Sequence, residues 1–340
     1  MILDNHNIYI CDNIDTINMF IKYIDIFDKV DKEKIIGIDF EFNNSGPPLN
    51  KRKIALFQIN LHIFDGEKNV YMFYPPDLSK EQLNKLKHIL YTNKIIIHGG
   101  ESLDIPYMFS NIFTSNKERL KFLKNLYDTR FMCEYYNILN KVDYKCKIYE
   151  LLKNMKVIDT KKYNYLIKNE EDMGPIYKVI IDVKNMNDKV IIYSAYDVIF
   201  LPDLYKKFPN DNNYQTIIPG VTRNVLIMKY NGDLVKNLEL LNKMNLFFVN
   251  ISDVVFKFID LYQIMIDNIY INDLLKINYF RKFLFMIIKY HLYKIFVNHY
   301  KTYYKKNMLN KVKINNDIFI VEELKKFNDD LYKYIYNQWK

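Results

Sequence analysis

An α/β fold is predicted by two patterns that alternate along the chain. Short apolar, β-prone runs occur at 35–42 and 95–97, whereas apolar residues recur at helical spacing from 190 to 205. A length of 340 residues adds the expectation of two domains, each with enough material for a buried core.

Residues 1–34 read as a short strand, IYIC, followed by a helix, TINMFIKYIDIF. The next run, IIGIDFEF, has the composition of a central strand. A carboxylate in such a run is costly to bury unless its charge is compensated. Strand side chains alternate faces, so Asp39 and Glu41 point the same way and together offer hard oxygen ligands to a divalent cation. Acid-x-acid triplets are common, and two solvated acids at a strand end fit the same residues.

Asp104 lies in IIIHGGESLDIPYMF, after the apolar run and the turn residues His98, Gly99 and Gly100. That places it where a strand passes into a helix, a position at which Asp also serves as an N-cap. Further on, Tyr193 and Asp197 stand four apart and therefore share a helix face. Asp197 would be a further metal ligand, with the Tyr193 hydroxyl one turn away to orient a water. An amphipathic helix with a buried tyrosine and a surface acid satisfies the same spacing.

Together these segments resemble the DEDDy branch of the DnaQ-like exonucleases, the ribonuclease D type that also includes the Werner-helicase exonuclease domain. The resemblance runs from about 35 to 208. It extends to IALFQIN at 54–60, similar to the family's second strand with its buried glutamine, and to LYDTRFMCEYYNIL at 126–139, similar to its Asp-Thr strand and following helix. The fit is most specific at YSAYDVIFLPDLYKKF. The resemblance implies a ribonuclease H-like mixed sheet flanked by helices. It also implies that Asp39, Glu41, Asp104 and Asp197 hold two Mg²⁺ or Mn²⁺ ions and that Tyr193 positions the attacking water. The implied reaction is 3′ to 5′ hydrolysis of RNA or DNA. One departure is that Asp104 follows His98 by six residues, where the family has five; Glu101 is the alternative carboxylate. Asp128 resembles a structural strand-end residue and is given no catalytic role. A non-catalytic nucleic-acid-binding or protein-interaction scaffold of the same fold is the competing reading.

Other chemistries are poorly served. Cys11, Cys133 and Cys146 form no C-x-x-C pair and no zinc-finger spacing, and an odd cysteine count without a framework favours a reducing compartment. His98 is the one histidine among the motifs, and beside a turn it reads as a hydrogen-bonded structural residue. No G-x-x-x-x-G-K-[ST] occurs, which argues against helicase or kinase activity. The amino terminus lacks a basic segment followed by an apolar one, so an intracellular location, cytoplasmic or nuclear, is expected over secretion. The apolar stretch at 279–297 is interrupted by Arg281, Lys282, Lys289 and Lys294, leaving no uncharged run of the ~18–20 residues that a membrane span needs.

Charge divides the chain. Residues 213–340 carry 19 Lys and Arg against 11 Asp and Glu, a net of +8 out of the total +9. The break at FPNDNNYQTIIPG separates an exonuclease domain at 1–212 from a basic, mainly helical domain at 213–340. Ribonuclease D carries helical modules in that place, but this sequence does not match them. The basic part would attract a nucleic-acid backbone without regard to sequence. KYHLYKIFVNHYKTYYKK at 289–306 mixes cations with rings that bases could stack on, although a helix with inward tyrosines and solvated lysines explains it at least as well. KRK at 51–53 is a smaller basic candidate in the hairpin turn after the acidic strand. The apolar faces of the C-terminal helices are a candidate for oligomerisation.

Overall fold

Seven strands assemble around the two longest β-prone runs of the chain. They are β1 (Ile2–Leu3), β2 (His6–Cys11), β3 (Lys34–Asn44), β4 (Arg52–Ile63), β5 (Lys68–Phe73), β6 (Lys94–Ile97) and β7 (Leu126–Asp128), in the order β1-β2-β5-β4-β3-β6-β7. β3 runs antiparallel to β4 and parallel to β6, and β2 runs parallel to β5, so the sheet is mixed, as expected. This computed structural model describes residues 1–226 except 45–51, 141, 212, 220–221 and 224–225. Nearly all of them belong to one compact unit, Met1–Pro219. The predicted helices beyond 226 and the aromatic-basic segment at 289–306 lie outside the described residues. Among the described residues, no helix is long and apolar enough to cross a membrane.

Strand alternation gives the sheet two unlike faces. One is aromatic: Phe40 stacks on Phe57 with centroids 4.2 Å apart, Phe57 meets Phe73, and helix α1 (Ile14–Lys29) sets Phe20 against Tyr71 and Phe73. Asn13 starts α1 with a reciprocal capping box to Thr16. Helix α2 (Lys80–Thr92) packs beside α1, Gln82 donating to Asn18 at 3.0 Å.

The opposite face carries Gly37, Asp39, Gln58 and Asn60, Asp39 standing across from Gln58 and Gly37 across from Asn60. After β6 come the short α3 (Asp104–Tyr107), α4 (Asn116–Leu123) and, past β7, α5 (Thr129–Leu139), α6 (Ile148–Asn154) and α7 (Thr160–Met173). The apolar spacing from 190 to 205 predicts one continuous helix. Instead there are two, α8 (Asp188–Ile199) and α9 (Leu201–Lys207), parted at Phe200. Pro202 explains the break, because it has no N–H and its ring crowds the carbonyl four residues back, that of Val198. The Asn60 side chain donates to both the Val198 and the Ile199 carbonyls at 3.1 Å, which seats the end of α8 on the sheet.

Cys133 on α5 and Cys146 just before α6 form a disulfide. Neither spacing nor count gave a cue to this pair. Cys11 is the free, buried cysteine.

Gly37 lets α8 and α9 approach: a Cβ there would lie 3.0 Å from the Val198 carbonyl and 3.3 Å from Leu201 Cβ. Gly37→Ala is therefore expected to destabilise the protein by about 1–3 kcal/mol, the usual cost of overpacking a close contact. Urea unfolding measures it, and wild-type stability would mean that the helix is not held down at this point.

Candidate metal centre

Regular elements position three of the four acids, Asp39, Glu41 and Asp197. Asp39 and Glu41 lie on the β3 face that receives α8, and the register with β4 slips just after them, between Glu41 and Phe42. α8 begins at Asn187, whose side chain accepts from the Val190 amide at 3.1 Å, and this sets the phase that brings Asp197 down onto β3. One oxygen each from Asp39, Glu41 and Asp197 lie within 4.8 Å of one another. Glu41 is 8% exposed, and the other two are half-buried.

Asp104 opens α3, but not as its cap. Leu103 occupies the N-cap position and makes no side-chain cap bond. The turn before it is tight: Gly99 has φ +74°, a conformation suited to glycine, and a Cβ on Gly100 would collide with the Ile97 side chain and lie 3.1 Å from Asp104 Oδ2. Asp128 braces this turn, its Oδ1 accepting from the Gly99 amide at 2.9 Å and the Arg130 amide at 3.0 Å. Asp104 lies outside the 4.8 Å set, yet its charge raises both Glu41 and Asp197. Glu101, the alternative ligand, is buried, and its charge bears on Asp128. His98 Nε2 donates to the Cys146 carbonyl at 3.2 Å, and its Nδ1 lies 2.9 Å from Thr129 Oγ1. Burial brings its pKa down to about 4, so His98 is a neutral structural residue, as its sequence context indicated.

Electrostatics fit the cluster to a cation. Burial, then the charge of Asp197, holds the Asp39 carboxyl well above its ordinary range. Burial, then Asp39 and Asp197, does the same to Glu41, and burial with Asp39 does it to Asp104. Asp197 is pushed up to about 8 by burial and by Glu170 on α7, against a hydrogen bond from Tyr149 that lowers it. Carboxylates are acceptors only once ionised and cannot satisfy one another. A divalent ion would supply the missing positive charge and match their oxygens.

Two tyrosines border the acids. Tyr193 is half-buried one turn before Asp197, and that carboxylate, followed by burial, keeps its hydroxyl protonated. Tyr149 on α6 donates to Asp197 Oδ1 at 3.4 Å. The sequence reading missed Tyr149, because one tyrosine among 30 carries no signal of its own.

No protein-family model matches the chain. An uncharacterized protein of Acanthamoeba polyphaga mimivirus is similar to it, 27% identical over 333 residues that cover 87% of this chain and 64% of that protein. The chain thus spans less than two thirds of that relative's length. Among solved structures, it is similar to a nuclease in its apo form, with TM-score 0.43 and 15% identity over 68% of this chain and 95% of that one. It is also similar to Brucella melitensis NrnC bound to pGG, with TM-score 0.38 and 15% identity over 59% of this chain and 85% of that one. NrnC with bound Mg²⁺ matches at TM-score 0.37 and 13% identity over the same shares of the two chains.

The raised carboxylates set the direction of a pH effect. Solvated carboxyl groups titrate near 4, so the native cluster keeps protons that the unfolded chain releases. Its stabilising contribution is complete below about pH 4 and is lost as pH rises through the native values, which reach about 8 at Asp197. Metal binding needs the deprotonated form and opposes that loss. In thermal melts, Mn²⁺ should stabilise more at about pH 8 than at about pH 5, by roughly 2.7 kcal/mol over EDTA at a hundredfold excess over its Kd. Identical melts with Mn²⁺ and EDTA at the higher pH would rule out a metal centre here.

Proposed function

We propose that this chain is a metal-dependent 3′ to 5′ exonuclease that hydrolyses RNA or DNA from a 3′ end and releases nucleoside 5′-monophosphates. The observation that carries the reading is the convergence of Asp39, Glu41 and Asp197 within 4.8 Å, with Tyr193 one helical turn before Asp197. Asp39, Glu41 and Asp197, joined by Asp104 from the glycine turn, would hold two Mg²⁺ or Mn²⁺ ions. When bound, such ions supply a deprotonated water nucleophile and shield the charge that develops on the leaving oxygen.

The rest is work for the chain's own groups. Without cations, the crowded acids repel a phosphate. Neutralised, they become a site for one, and burial strengthens every interaction inside it. Tyr193, kept protonated by its neighbours, is a hydrogen-bond donor suited to hold a water in line with the scissile bond. The water oxygen ends on phosphorus, the P–O3′ bond breaks, and the shortened strand keeps a 3′-hydroxyl. No side chain need bond covalently to the substrate. The four acids carry no preference between polymers; discrimination would come from contacts to the 2′-OH and from cleft shape.

A gel assay with 5′-labelled single-stranded and duplex RNA and DNA tests the reading. A ladder that shortens from the 3′ end is expected with Mg²⁺ or Mn²⁺, absent in EDTA and in an Asp39→Ala/Glu41→Ala variant that still folds. Tyr193→Phe should slow cleavage on the order of a hundredfold, the low end of what a positioned proton-handling group contributes. Unchanged rates in both variants would remove the site assignment, and binding without cleavage on every substrate would leave a nucleic-acid-binding scaffold instead.

A further inference from the structure

Helix α6 delivers a second phenol to the acid cluster, from a direction the motif does not use. Tyr149 is 4% exposed, and its hydroxyl donates to Asp197 Oδ1 at 3.4 Å. A phenol buried this far needs a polar partner, and Asp197 supplies it. A phenol has a proton to give and a carboxylate can only accept, so the direction of this bond is set by the two groups themselves.

The ring's place is fixed from both sides. Leu151 and Leu152 of the same helix are fully buried. Three residues before Tyr149, Cys146 is bonded to Cys133 of α5, and its carbonyl accepts from His98 at the start of the loop that carries Asp104. The segment entering α6 is thereby tied to α5 and to the glycine turn. A side chain on so constrained a backbone can hold a carboxylate in one rotamer.

We propose that Tyr149 is a positioning residue for metal binding: its hydroxyl engages one oxygen of Asp197 and leaves the other turned toward an ion shared with Asp39 and Glu41. This rests on the metal-centre reading above. It divides the two phenols by role, Tyr193 for the water and Tyr149 for the ligand. Outer-shell partners of a ligating group typically change metal affinity or activity about 10–100-fold when removed.

Mn²⁺ binding to the full chain, followed by calorimetry, tests the proposal without substrate. Tyr149→Phe, which removes only the hydroxyl, should weaken Mn²⁺ affinity about tenfold, whereas Tyr193→Phe should bind as wild type does. A second measurement guards against a general loss of packing. If Tyr149 acts through Asp197, then adding Tyr149→Phe to an Asp197→Ala protein, which has no oxygen left for the hydroxyl to engage, should change Mn²⁺ affinity less than about twofold. Wild-type affinity in Tyr149→Phe, or a full tenfold loss that persists in the Asp197→Ala background, overturns the positioning role alone. A wild-type chain that binds no Mn²⁺ overturns the metal centre and this proposal with it.

Discussion

The seating of α8 on β3 and β4 is the contact from which the acid cluster follows. Asp197 and Tyr193 come from the helix and Asp39 and Glu41 from the strand, with no loop between them to absorb an error in distance. Three residues without chemistry of their own set that distance. Gly37 removes the side chain that would hold the helix away. Pro202 ends the helix and frees the carbonyls of its last turn. Asn60 then clasps two of those carbonyls from the neighbouring strand. An amide donating twice into a helix end is worth more than its hydrogen bonds alone, because leaving those carbonyls buried and unpaired costs about 1–3 kcal/mol.

Holding the acids together works against the fold. Two unit charges about 5 Å apart repel by roughly 3 kcal/mol at an effective dielectric of about 20. The aromatic face of the sheet offsets this: Phe57 and Phe73 on its strands and Phe20 on α1 are fully buried, and each such ring contributes about 1.5–3 kcal/mol. A fully ionised cluster would multiply that repulsion over several pairs. The native state keeps protons instead, which is the meaning of the raised carboxyls on Asp39, Glu41, Asp104 and Asp197. The sheet thus carries its stacked rings on one face and its crowded acids on the other.

Much of this was legible in the sequence, and the parts that were not share a cause. The strand IIGIDFEF could be read because alternation fixes which side chains share a face, and the four-residue step from Tyr193 to Asp197 could be read because helical periodicity does the same. The break at Phe200 was hidden, since LPDLYKKF keeps its apolar spacing across a change of helix axis, and only Pro202 marked it. The Cys133–Cys146 bond depends on α5 and the segment before α6 lying side by side, which no local pattern encodes. Tyr149 escaped for the same reason. Its role is defined by a partner 48 positions away, and a tyrosine in KIYELLKN has the same local pattern whether it is packing or positioning.

The same distinction accounts for Asp104. The three acids that converge within 4.8 Å are all placed by regular elements, whereas Asp104 hangs from a glycine turn one residue longer than the spacing of the family this chain resembles, and it falls outside that set. Its position is nevertheless not loose. The left-handed Gly99, the missing Cβ of Gly100 and the Asp128 carboxylate beneath them hold the turn against β6 and β7. In a turn so firmly braced, the distance of Asp104 from the other three acids is set by backbone rather than by side-chain choice. Separating Asp104 from the other three spares the cluster a fourth carboxylate at the closest range, where like charges repel most.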